Sequence, residues 1–288
     1  MAPLIFLMYA LIASTFTITK AALAFSSPLF LIGFRMSLAG IFLLAYLWIN
    51  NKFNYPTILS FITSYLMLAL VYICIPYFLE FWAMEVVGSA RAALIYNLTP
   101  FFTVIFAFYG LRERLNLTKS LGLLVGFAGY IPIFSSCFAC DNWYFISAQD
   151  LALLGATASG AYSWILIKRL MNQGRSIVEI NGISMFLGGL ISLIASAFFD
   201  GFGQVENWPA FTGLVFFVII VGNIISYNLY SWLLKQYSAT FLSFCGFTTP
   251  LFAATYQWII WGDKIGWQFF VAILGVSLGF YLFKSSDK

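Results

Sequence analysis

Residues 77–102 read YFLEFWAMEVVGSARAALIYNLTPFF, and residues 227–252 read YNLYSWLLKQYSATFLSFCGFTTPLF. At a constant offset of 150 and with no gap, Tyr77 meets Tyr227, Leu79 meets Leu229 and Trp82 meets Trp232. Thr99-Pro100 meets Thr249-Pro250, and Phe102 meets Phe252. The register holds on to residues 134 and 284: Glu113-Arg114 meets Asp263-Lys264, and Gly129 meets Gly279. Leu and Phe identities recur by chance in any apolar chain. Trp, Pro and an acid–base pair at one offset do not, so the chain is read as two homologous halves. Earlier positions match with a small shift: Gly33, Met36, Leu38 and Gly40 fall on Gly182, Met185, Leu187 and Gly189, and Lys20 falls on Lys168.

Composition decides what those halves are made of. The 288 residues are 62% hydrophobic and only 8% charged. A soluble domain needs about 25% charged residues to face water, so this surface must face lipid. A spanning helix needs about 20 apolar residues. Polar breaks divide the chain into ten such stretches, near 3–24, 28–50, 58–86, 89–111, 117–136, 148–170, 178–200, 210–236, 239–262 and 266–284. They are too long and too continuously apolar for period-two strands, and open sheet edges are not tolerated in hydrocarbon. The expected fold is therefore all-α integral membrane: ten transmembrane helices in two five-helix repeats, 1–136 and 148–284. An odd number of spans per half sends the second half into the membrane upside down. Such an inverted repeat is the physical basis of alternating access in carriers.

Met1 to Ala24 has no basic residue before its apolar stretch, the reverse of a secretory signal, and is read as a retained first span. Basic residues collect on cytoplasmic loops. With a cytoplasmic N-terminus, the inner connections carry Lys52, Arg112, Arg114, Lys119, Lys168, Arg169, Arg175, Lys235, Lys284 and Lys288. The outer ends carry only Lys20, Arg35, Arg91 and Lys264. Both termini are thus expected inside. The loop with Cys137 and Cys140 falls outside; this lone C-x-x-C is read as ordinary thiols, a local disulfide or half of a metal site. Cys74 and Cys245 lie in apolar spans as small hydrophobes. The chain has no histidine, which removes the commonest general base and metal ligand. Neither a catalytic site, a bound metal nor a cofactor is expected. No phosphate-binding loop motif is present to couple ATP.

The paired Trp in the third span of each half, the paired Thr-Pro in the fourth, the acid–base exits Glu113-Arg114 and Asp263-Lys264, and the Lys closing each first span together resemble the drug/metabolite transporter superfamily, EamA type. The likeness covers essentially the whole chain. It departs in carrying Asp263 where Glu is usual, and Ser14-Thr15 in place of the usual Trp-Gly of span one. The resemblance implies two helical baskets around a central cavity in a bacterial cytoplasmic (inner) membrane. Its substrates would include amino acids, nucleotide-related metabolites and drugs, with S-adenosylmethionine among those of similar proteins. It also implies that spans three, six and eight line the cavity.

Intramembrane charge is costly and is a candidate for function by default. Glu80 stands opposite Tyr230 in the repeat, so the symmetry breaks there. It suits a cationic or amino group, or a coupling proton; the competing reading is a structural ion pair with Lys20, Arg35 or Arg91. Glu85 reads as interfacial. Arg35 and Lys20 suit a carboxylate or phosphate, or snorkel to the boundary. Glu113 and Asp263 are read as helix caps or gate latches. Tyr77, Trp82, Trp164, Tyr227, Tyr230 and Trp232 are candidates for an aromatic substrate cage, against packing or an interfacial belt. Asn97, Asn223, Asn228, Ser163 and Gln257 could fix a polar end of a solute or hold helices together. Pro100 and Pro250 are candidate hinges. Gly122-x-x-x-Gly126 and Gly275-x-x-x-Gly279 allow close helix approach. The expected function is a secondary transporter of a small organic metabolite, an amino acid or derivative such as S-adenosylmethionine, acting as monomer or homodimer without nucleic acid. The second reading is a multidrug exporter of lipophilic cations.

Overall fold

The computed structural model describes residues 2–84, 86–87, 89–133, 147–199, 203–262 and 266–285. Among these, regular structure is helical. In chain order the helical segments are α1 (Ala2–Ala22), α2 (Pro28–Ile49), α3 (Ile62–Met84), α4 (Arg91–Leu111), α5 (Leu117–Ile133), α6 (Ala148–Asn172), α7 (Ile177–Phe199), α8 (Trp208–Leu233), α9 (239–261) and α10 (Trp267–Ser285). A short helix, Tyr55–Ser60, leads into α3. Seven are long and apolar enough to cross a membrane: α1 to α4 and α6 to α8. The apolar helices α5 and α10 are shorter by that measure, and α9 is interrupted. Cys137, Cys140, Glu85, Asp263 and Lys264 lie outside the described residues.

The interruptions recur at matching places. In α4 the helix breaks after Tyr96 and restarts at Thr99. In α9 it runs Ala239–Cys245, tightens through Gly246–Thr248, and restarts at Thr249. Each Thr-Pro therefore opens a new helix, where the missing proline N–H would be unpaired anyway. Pro100 and Pro250, candidate hinges by sequence, each stand in the first turn of a new helix, not inside a continuous one. Both segments also end alike, on a left-handed residue, Arg112 (φ 57°) and Gly262 (φ 71°). Wide π-turns interrupt α3 at Leu70–Cys74 and α8 at Val218–Ser226, again in register with the repeat.

Packing between the halves is close because glycine permits it. Along α2 and α7, Gly33 faces Leu193, Gly189 faces Ser37, Gly40 faces Phe186 and Gly182 faces Leu43. As one number rises the other falls, so the two helices run antiparallel. A Cβ on Gly40 would stand 2.5 Å from the Phe186 nitrogen, and one on Gly189 2.4 Å from the Ser37 nitrogen. Along α5 and α10 the same opposition holds: Gly122 meets Gly279, and Gly129 meets Gly275. The remaining neighbours exchange when the halves exchange: α1 packs on α8 and α9, while α6 packs on α3 and α4. The outer surface carries large apolar groups such as Trp48, Phe198, Phe199 and Trp267. That much exposed apolar surface has no place in water.

Overpacking a tight crossing costs about 1–3 kcal/mol. Gly40→Val and Gly189→Val are expected to lower the melting temperature of detergent-solubilised protein or abolish a folded peak in size exclusion. Gly213→Ala, where an added Cβ meets nothing within 4 Å, is expected to leave both measurements unchanged or slightly improved.

Candidate functional site

The repeat brings its own equivalent residues together at one point. The hydroxyls of Tyr77 on α3 and Tyr227 on α8 lie 3.1 Å apart, and either can donate. The two residues occupy equivalent positions of the repeat, so the halves meet at this pair. Around it stand four more rings. Trp164 of α6 stacks on Tyr230 with ring centres 3.8 Å apart, and lies 5.3 Å from Tyr72 and 6.0 Å from Tyr227. Tyr72 lies 5.5 Å from Tyr227, and Tyr9 of α1 meets Tyr230 edge-on.

Tyr72 was not singled out by sequence. Five residues before Tyr77, an α-helical count places it well away from that face. The π-turn at Leu70–Cys74 takes in an extra residue and brings Tyr72 against Trp164 and Tyr227. Pro76, which cannot donate a backbone hydrogen bond, was the available hint on α3. The matching position on α8 is Ser226, which offers none.

Charge enters from α2 and α3. Arg35 of α2 is 6% exposed. Its guanidinium carbon sits 4.9 Å from the centre of the Tyr77 ring, and Nη1 donates to the Thr19 hydroxyl at 3.3 Å. Glu80 follows Tyr77 by three residues, one helical turn along the same face. It is half-buried, and it interacts electrostatically with the Tyr96 hydroxyl and the Arg35 charge. Tyr96 closes no hydrogen bond of ordinary geometry. Among the described residues, neither Arg35 nor Glu80 enters a salt bridge. Arg91, one suggested partner of Glu80, is held by Asp150 instead, and Lys20 is exposed.

Among the described residues several buried polar atoms make no hydrogen bond: Arg35 Nε and Tyr72 Oη beside the tyrosine pair, and Asn97 Nδ2 on α4 and Asn223 Oδ1 on α8. Unsatisfied groups are rare in folded interiors, and each calls for water, an ion or a ligand. The other candidates do not converge. Trp82 is 48% exposed and Trp232 36%. Two residues along a helix turn about 160° away, so Trp82 points away from Glu80 and Trp232 from Tyr230. Gln257 is exposed. Asn228 accepts from Asn181 at 3.1 Å, joining α7 to α8, and Ser163 bonds back to Gly160.

A second constellation lies at the end of α4. Arg112 in its left-handed conformation turns the chain so that Glu113 N–H returns to the Ala107 carbonyl, a common helix ending. The Glu113 carboxylate then reaches the start of α9. It accepts from Ala239 N at 3.0 Å, Thr240 N at 3.3 Å, Thr240 Oγ1 at 3.1 Å and Lys168 Nζ at 3.0 Å. Lys168 also donates to the Tyr237 carbonyl. One carboxylate thus ties α4, α6 and α9. Burial pushes its carboxyl upward, but the Ala239 N–H and the Lys168 charge outweigh that and hold it below its ordinary value.

The EamA-like transporter family profile matches residues 1–135 and again 148–284. The chain belongs to this family. An S-adenosylmethionine/S-adenosylhomocysteine transporter of Chlamydia muridarum is 32% identical over 91% of this chain and 84% of its own length. The corresponding Chlamydia trachomatis transporter (strain 434/Bu) is 31% identical, over 91% and 82%. The uncharacterized inner membrane transporter YedA of Escherichia coli K12 is 25% identical over 97% and 91%. A crystal structure at 15% identity superposes with TM-score 0.75 over 98% of this chain and 96% of that one, which bears on the fold alone. An EamA-like transporter is a multi-pass membrane protein that carries a small molecule and is not an enzyme.

Hydrogen bonds to a charged group contribute about 1.5–3 kcal/mol each, so Glu113→Gln is expected to destabilise the fold by at least about 1 kcal/mol. A carboxyl depressed in the folded state contributes stability above its unfolded value, near 4.5, and loses it as pH falls through the folded value. The wild-type minus Glu113→Gln difference in melting temperature should therefore stay constant from neutral pH down to about 5 and shrink below that. A difference that grows on acidification would contradict the assignment.

Proposed function

We propose that this chain is a secondary transporter that moves an amino-acid-derived metabolite of the S-adenosylmethionine kind across a bacterial cytoplasmic membrane by alternating access. On this reading all ten helical segments span, as two inverted five-helix repeats at 1–136 and 148–284, with both termini cytoplasmic. The substrate site is the central one: Glu80 faces a cationic group, Tyr77 and Tyr227 stand at its base, and Trp164, Tyr230 and Tyr72 form its aromatic wall. Asn97 supplies a further unpaired donor. Trp82 and Trp232 have no place in it.

The observation that carries the reading is a lone acidic side chain beside an aromatic wall at the meeting point of two halves. Aromatic faces attract cations and hold flat apolar bodies, and S-adenosylmethionine offers a sulfonium, an ammonium and a purine. The names of the Chlamydia relatives support the same substrate class. The antiparallel α2–α7 and α5–α10 seams support two-fold exchange between halves, because antiparallel equivalents are related by an axis perpendicular to them. Helix breaks before Thr99 and Thr249 supply matched bending points, and the Glu113 tie supplies a latch that one conformation makes and the other releases. Asp263 and Lys20 are the sequence equivalents of that tie on the opposite face.

Proteoliposome uptake of labelled S-adenosylmethionine tests the reading. Saturable uptake, accelerated by internal S-adenosylhomocysteine, is expected in the wild type. Loss of one charge-assisted contact of about 1.5–3 kcal/mol should reduce uptake by roughly ten- to a hundredfold in Glu80→Gln. Wild-type liposomes that take up neither S-adenosylmethionine nor amino acids, yet move many unrelated lipophilic cations, would replace it with a multidrug exporter.

A further inference from the structure

We infer that Arg35 and Glu80 together form a clamp for the zwitterionic head of an α-amino acid, Arg35 taking the carboxylate and Glu80 the ammonium; this rests on the central site being the substrate site. The two charges come from the same half of the molecule. Their repeat equivalents are Ser184, bonded back to the Ile180 carbonyl, and Tyr230, stacked on Trp164. The site is therefore bipolar. One pole, from α2 and α3, carries one positive and one negative group; the other, from α6 and α8, carries aromatic rings and no charge.

Among the described residues neither charge is held in a salt bridge. Arg35 is buried; among the described residues its hydrogen bond is the long one to Thr19, its guanidinium lies over the Tyr77 ring, and its Nε has no acceptor. Glu80 has the Arg35 charge within reach but no ion pair with it. Taking a charge out of water without a partner costs several kcal/mol, and opposite charges held close would ordinarily close a salt bridge. Here the Tyr77 ring stands under the guanidinium, and Glu80 lies one turn further along α3. Both groups therefore flank the Tyr77 ring, close enough for the Arg35 charge to act on Glu80 without a salt bridge between them. A molecule that bears a carboxylate and an ammonium on one carbon answers both groups at once.

The division of labour follows from side-chain chemistry. A guanidinium presents a planar fork that matches a carboxylate with two parallel hydrogen bonds. A carboxylate cannot bind a carboxylate, but it accepts from an ammonium. A simple lipophilic cation satisfies Glu80 and leaves Arg35 both unpaired and repelled. The clamp therefore selects amino-acid heads against bare amines, while the aromatic pole selects what the head carries.

The test uses labelled S-adenosylmethionine with unlabelled competitors in wild-type proteoliposomes. Decarboxylated S-adenosylmethionine keeps the purine, sulfonium and amine and lacks only the carboxylate. Methylthioadenosine lacks the whole head. S-adenosylhomocysteine keeps the zwitterion and lacks the sulfonium charge. S-adenosylhomocysteine is expected to compete at least about tenfold better than either compound without the carboxylate. Arg35→Gln should raise the half-saturating S-adenosylmethionine concentration about tenfold or more and erase the preference over the decarboxylated compound. Arg35→Lys should recover part of that preference. Equal competition by the decarboxylated compound in the wild type overturns the clamp and leaves the transporter reading standing; this arm needs no variant to fold. If wild-type liposomes carry no S-adenosylmethionine, the transporter reading fails separately. The clamp is then read from thermal shifts of purified protein with methionine, phenylalanine and their decarboxylated amines: stabilisation by the amino acids alone upholds it, and equal or absent shifts overturn it.

Discussion

The glycine-lined crossing of α2 and α7 is the constraint on which the rest depends. Where backbone meets backbone at Gly40–Phe186 and Gly189–Ser37, nothing larger than hydrogen is accommodated, and the halves cannot slide without collision. A fixed crossing fixes what flanks it. Arg35 lies between Gly33 and Ser37 on α2, so it is delivered to the centre beside Tyr77. Met36, its neighbour, is wedged against Asn223 of α8. The Tyr77–Tyr227 contact is the consequence at the level of the site: close seams bring the equivalent positions of two halves within hydrogen-bond distance.

Much of this architecture is legible in the sequence, because repeats are read from rare residues. The offset that pairs Thr99-Pro100 with Thr249-Pro250 also pairs the two helix breaks, the two left-handed endings and the two tyrosines that touch. Glycine spacing in spans five and ten announces their seam. The site is legible less completely, and the failures have physical causes. Trp82 and Trp232 attract notice because Trp is scarce, but scarcity says nothing about helical phase; both stand on the face away from the centre. Tyr72 is hidden by the π-turn, since counting at 3.6 residues per turn assumes a helix without insertions. Glu113 reads as a cap or latch from its place at a helix exit, but Thr240 and Lys168 lie far along the chain, and no local pattern names them.

Two kinds of polar arrangement share this apolar chain, and they differ in completeness. The Glu113 cluster is closed: every contact drawn to the carboxylate is a donor, and the positive charge of Lys168 is answered. Such a network holds one geometry and gives it up only as a unit. The central cluster is open. Among the described residues, Arg35 and Tyr72 each keep a buried atom without a hydrogen-bond partner. The closed network suits a structural tie, and the open one suits a site that a solute completes.

An open charged site also bears on how such a carrier moves. On the proposed reading, occluding the site during alternating access removes what water reaches it. With the site empty, occlusion leaves Arg35 and Glu80 without a salt bridge, at the cost of desolvating both. With a zwitterionic head in place, each charge is answered and occlusion becomes easier. A ligand speeds a transition only by interacting more favourably with the state on the way than with the state it leaves. On the clamp reading, a loaded carrier therefore turns over faster than an empty one. That asymmetry favours exchange of one amino-acid derivative for another over net uptake, and it needs no coupling ion beyond the two charges that α2 and α3 already hold.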